Sequence, residues 1–200
     1  MATDYTGAGF GGELPSPATL LRAFREPVDP ARRDHDVLQS AHELALCHEQ
    51  RDRALEAAHA ADATPDDVAD WTHHIDKIDM RREELVARID DWVAANIPHR
   101  AGASLHTETL GAVIDRMAAK WVVAQRALGN NDGSEPARVS KAADGRTRRR
   151  AVAHRISEDR PRRSVDPEAH LQWYRLAELA DGYKDLITEV AQHRRRLPTW

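Results

Sequence analysis

Arg82 holds the position in this sequence that most demands chemistry. It falls in a stripe, Val68, Trp71, Ile75, Ile78, Arg82, Leu85, Ile89 and Trp92, spaced alternately by three and four residues. That periodicity marks one helix face meant for burial against another helix. A guanidinium placed there must find a carboxylate, because an unpaired buried charge is expensive. Asp79 lies one turn earlier, and Glu108, Asp115 and Glu49 are candidate partners from other segments. Glu108, Gly111 and Asp115 share a line beside the Leu110, Ile114 and Met117 face, with Arg116 adjacent. Two chemistries follow. The leading one is a structural ion-pair network that sets helix register. The other is a cavity at the bundle end whose carboxylates and arginines bind a polar ligand.

Other reactive patterns carry less. Glu56 and His59, and again Asp70 and His73, have the spacing of a carboxylate-bridged di-metal site, which needs further carboxylates from two more helices. Both motifs sit near one connection, so surface histidines explain them better and no metal is expected. Cys47 and His48 are neighbours, but adjacent helical residues point about 100° apart, so they form no dyad; Cys47 reads as a small buried hydrophobe. GAGFGG at 7–12 lacks the strand and Lys-Ser/Thr of a phosphate loop. No cofactor is indicated.

The elements that must position these residues are helical. Thirty-three alanines with many Arg, Glu and Leu outweigh the β-branched residues, and no sustained period-2 alternation occurs. A short helix is predicted from Pro17 to Glu26 and a long one from about Asp34 to Ala61, with Leu38, Ala41, Leu44, Ala45, His48 and Leu55 as its stripe. Thr64 as cap and Pro65 at the first position open a third, ending near Asn96. A fourth runs from about Thr107 to Leu128, presenting Leu110, Ile114, Met117, Trp121 and Leu128, and is ended by Gly129. The last runs from Pro167 to about Arg195 with Trp173, Leu176, Leu179, Tyr183, Leu186 or Ile187, and Val190 inward. The expected fold is all-α: an antiparallel bundle of four main helices plus the short N-terminal one. Residues 1–16 read as a disordered tail and 17–200 as one helical domain.

The net charge of −4 excludes a uniformly basic nucleic-acid binder. It is uneven: 10 basic against 5 acidic side chains crowd residues 130–165, read as a basic, partly disordered connection before the last helix. GRTRRR and RPRR within it could neutralise phosphates, but no aromatic residue is there to stack on bases, so nucleic acid is the minor reading. No apolar run exceeds four residues, which argues against a membrane helix. The N-terminus shows no secretory pattern, and one cysteine fits a reducing cytoplasm. Twenty-five Arg to 4 Lys, with so much Ala, suggest a GC-rich, actinobacterial coding genome.

LHTETLGAVIDRMA at 105–118 resembles the signature of a bacterial family known as domain of unknown function 4254. HIDKIDMRREELVARIDDW at 74–92 resembles its second motif, and ELALCHEQRDR at 43–53 more loosely its first. The resemblance implies an all-helical fold and no assigned activity. Its pattern points to Glu49, Asp76, Arg82, Asp90, Thr107, Glu108, Gly111, Asp115 and Arg116. Asp79, Leu46 and His106 depart from it, where Asn, Trp and Asn are usual. IDKID also resembles the opening helix of helical chorismate mutases, but Arg82 and Glu83 stand where those enzymes place apolar packing residues. The candidate ligand-binding set is therefore Glu49, Arg82, Thr107, Glu108, Asp115 and Arg116. The leading functional expectation is a cytoplasmic accessory or interaction protein, with a protein partner or a second copy of itself. The alternative is a small enzyme or binding protein for a sugar-like or nucleotide-like metabolite. The sequence does not decide whether it is an enzyme.

Overall fold

Capping chemistry sets where two of the helices begin. In the computed structural model, which describes residues 13–98, 100–132 and 167–199, Ser16 accepts from the Thr19 amide at 3.2 Å to open α1 (Pro17–Arg25). Thr64 and Asp67 form a reciprocal capping box at the head of α3 (Pro65–Asn96). Such caps contribute about 1 kcal/mol each. Between these two helices lies α2 (His35–Ala58); after them come α4 (Leu110–Asp132) and α5 (Pro167–Ala191). The chain is all-α apart from a parallel pair of two-residue strands, β1 (Ser104–Leu105) and β2 (Arg195–Arg196).

The central element is α4, which packs on α2, α3 and α5. Leu110, Val113, Ile114, Met117, Ala118, Trp121, Val122 and Ala124 are all buried on it, so it is apolar round much of its circumference, as a helix enclosed on several sides must be. Each larger side chain removed from water contributes about 2 kcal/mol. Pairings of Arg82 with Asp115 and of Asp90 with Gly111 show that α4 runs antiparallel to α3. The strand pair ties the end of α5 to the segment before α4, so α5 is antiparallel to α4. Tyr183, buried on α5, donates its hydroxyl to the Pro15 carbonyl at 2.9 Å and anchors the chain ahead of α1.

Several expected boundaries and faces are corrected. The Thr109 hydroxyl accepts from the Ala112 amide, so α4 starts at Leu110 and Thr107 and Glu108 precede it. Gly129 does not stop α4, which continues to Asp132, and α2 ends at Ala58. The α5 helix closes at Ala191 because His193 takes a left-handed φ of 57°. There the Arg194 amide reaches the Glu189 carbonyl and the His193 amide that of Val190, a Schellman turn. Val68 and Trp71 of the stripe are exposed, since no described element covers the first turns of α3. Val93 is buried where Trp92 is only half-buried, and Leu128 is exposed. The expected N-terminal tail and basic connection fall largely on residues 1–12 and 133–166, outside the described residues.

A charged network opening on the α3/α4 cleft

The stripe position of Arg82 delivers its guanidinium to the junction of α2, α3 and α4. Its Nη2 and Nε donate to the two oxygens of Asp115 at 2.7 and 3.3 Å, and its Nη1 donates to Asp79 at 2.7 Å. From α2, Arg51 Nε donates to Asp79 at 3.0 Å, and His48 Nε2 lies 2.8 Å from Asp115 Oδ1. An ionised Asp115 accepts only, so its bond assigns the hydrogen to Nε2 of His48. One chain of charges thus links three helices.

Electrostatics follow from this wiring. Burial alone would raise the Asp115 carboxyl, but the hydrogen bonds from His48 and Arg82 outweigh it and hold the group below the usual carboxylate range. Asp79 is likewise lowered: burial opposes, and bonds from Arg82 and Arg51 prevail. Asp90 goes the other way. Burial pushes it up, and neighbouring Asp91 adds to that, although the Gly111 amide at 2.8 Å and the Thr109 hydroxyl donate to it. Glycine is required at 111, because a Cβ there would sit 2.5 Å from the Val86 carbonyl oxygen. That close approach of α4 to α3 is what lets an α3 carboxylate cap the α4 amide.

A cleft of about 660 Å³ opens along this junction, lined by Asp79, Arg82, Glu83, Val86, Ala87, Asp90, Asp91 and Asp115. Five carboxylates meet one guanidinium there, and Glu83 and Asp91 hold no hydrogen bond or ion pair among the described residues.

Of the six expected site residues, Arg82 and Asp115 alone meet at the cleft. Glu108 and Arg116 form their own forked pair at 2.5 and 2.8 Å on an exposed surface. Glu49 pairs with Arg53 at 3.3 Å within α2, and Thr107 is exposed with no hydrogen bond among the described residues. Glu108 misses the cluster because it lies outside the helix whose periodicity placed it. Glu56 binds Arg126, and His59 bonds the Leu55 carbonyl at 2.7 Å. Cys47 is buried, and burial pushes its thiol up. The sequence places His48 on the α2 stripe without giving it a role in the site and does not mark Arg51, although the signal that marks Arg82, a polar residue on a helix face turned to its neighbours, applies to both.

Fold and site define an all-α protein with a charged cleft between two of its helices. The chain belongs to the family described as Protein of unknown function (DUF4254), whose model matches residues 38–155. That span contains every member of the network and the 105–118 segment on which the resemblance rests. No curated protein and no solved structure matches the chain.

Proposed function

We propose that the chain binds a small polar metabolite in the α3/α4 cleft, with Arg82 and Asp115 as its ordered floor and Asp79, Glu83, Asp90 and Asp91 around it. The observation that carries this is that the charged network opens to solvent. A network serving only helix register would be sealed between helices. This one borders a space within the ~300–1,000 Å³ range of small-molecule sites, and two carboxylates on it have no partner among the described residues. The lone buried Cys47 supports a reducing, cytoplasmic setting, and no helix among the described residues is long and apolar enough to cross a membrane.

Filling the cleft tests the proposal. Ala87 is exposed and lines it, so Ala87→Phe occupies the space without disturbing the core. A panel of neutral sugars, cyclitols and nucleosides is expected to include a compound that raises the melting temperature of the wild type but not of Ala87→Phe. Equal stabilisation of both, or of neither, contradicts it.

A second reading, an accessory protein that docks a partner chain, is supported by exposed Leu171 and Tyr174, three residues apart on α5. Under it, Leu171→Asp with Tyr174→Asp abolishes co-purification of a stoichiometric partner and leaves the cleft unaffected. The nucleic-acid reading concerns 146–163, outside the described residues.

A further inference from the structure

Resting on the cleft reading above, we propose that the group recognised beside Arg82 and Asp115 is a neutral hydroxyl, which makes the ligand an uncharged polyol. The argument is one of hydrogen-bonding valence. A guanidinium carries five N–H bonds and a carboxylate about four acceptor positions. Arg82 uses three N–H bonds, two on Asp115 and one on Asp79, and has no further partner among the described residues, so two remain. Asp115 accepts from His48 and Arg82 on Oδ1 and from Arg82 alone on Oδ2, so one position remains on Oδ2. Unused donors on Arg82 and an unused acceptor position on Asp115 therefore belong to two paired residues that line the same cleft.

Each ligand chemistry meets this arrangement differently. A phosphate would use the arginine donors, but that charge is already matched by Asp79 and Asp115, and five carboxylates line the space. An ammonium has donors only, so it leaves the Arg82 N–H bonds unmet and approaches a like charge. A hydroxyl both donates and accepts. It can give its proton to Asp115 Oδ2 while taking an N–H from Arg82, with no net charge to desolvate. Glu83 and Asp91 then stand as acceptors for further hydroxyls, and Val86 and Ala87 supply apolar wall for a C–H face.

The test uses the intact chain and three probes at matched ionic strength: myo-inositol, inorganic phosphate and methylammonium. The readout is the NMR shift of the Arg82 Nε–Hε pair and of the Gly111 amide. The expected result is a saturable shift with inositol at an affinity about tenfold better than either ion, lost in Ala87→Phe. If phosphate or methylammonium moves Arg82 more than inositol does, the polyol proposal fails while the cleft reading survives. If no probe moves it, the polyol proposal fails, and the cleft reading is decided separately by the Ala87→Phe panel.

Discussion

Asp115 and Arg116 are neighbours on α4, and each joins an arginine–carboxylate pair of similar geometry, yet the two pairs occupy different physical worlds. Asp115 turns inward to Arg82, with side-chain exposures of 18% and 24%; Arg116 turns outward to Glu108, with exposures of 45% and 38%. The inward pair has His48, Asp79 and Arg51 behind it. No further side chain among the described residues joins the outward pair. Forked geometry alone therefore says little about energy: in water the Coulomb gain is screened, whereas at a helix junction removal of one partner strands the other.

The largest expected effect is a direct contrast. Asp115→Ala should lower unfolding free energy by about 3 kcal/mol, because Arg82 and His48 lose their acceptor, while Glu108→Ala should cost under about 1 kcal/mol. Denaturant titrations giving equal losses would break the distinction. Next comes the packing that holds the inward pair. Gly111→Ala drives a methyl against the Val86 carbonyl and should cost about 2 kcal/mol, whereas Gly129→Ala, where a Cβ meets nothing within 4 Å, should not destabilise. A smaller change leaves both pairs intact. His193→Gly relieves the left-handed residue that ends α5 and should stabilise by about 1 kcal/mol. The gain should be the same in wild type and Asp115→Ala, since the sites share no partner.

The finest separation is in pH. Asp115 and Asp79 are held low in the folded state, so their stabilisation is present above the unfolded carboxylate range near about 4 and is lost as pH falls through their folded values. Asp90 is raised, so its contribution is present below that range and is lost as pH rises through its folded value. Asp90→Asn should consequently melt higher than wild type at neutral pH, with the difference shrinking in acid. A variant that is less stable at neutral pH would show that the charge on Asp90, rather than its acceptor oxygen, supports the Gly111 turn.

The contrast also explains what could be read in advance. The limits of α3 were legible because Thr64, Pro65 and Asp67 act locally, and Arg82 stood out because one charge interrupts an apolar stripe. That Asp115 rather than Glu108 or Glu49 answers it depends on α4 starting at Leu110, three residues past the expected Thr107, and on α4 lying against α3. His48 meets Asp115 across 67 residues of sequence, and Asp90 meets Gly111 across a connection; no local period encodes either. The β1/β2 pair is two residues long, too short for alternation to register. Exposed Val68 and Trp71 show the reverse failure, a periodicity that continues past the elements able to bury it.

The most direct measurement compares the two arginines in one spectrum. With myo-inositol added, the Nε–Hε resonance of Arg82 should shift and saturate while that of Arg116 stays fixed, and Ala87→Phe should abolish the Arg82 response. Equal movement of both resonances, or none at Arg82, would contradict a ligand site built on the inward pair.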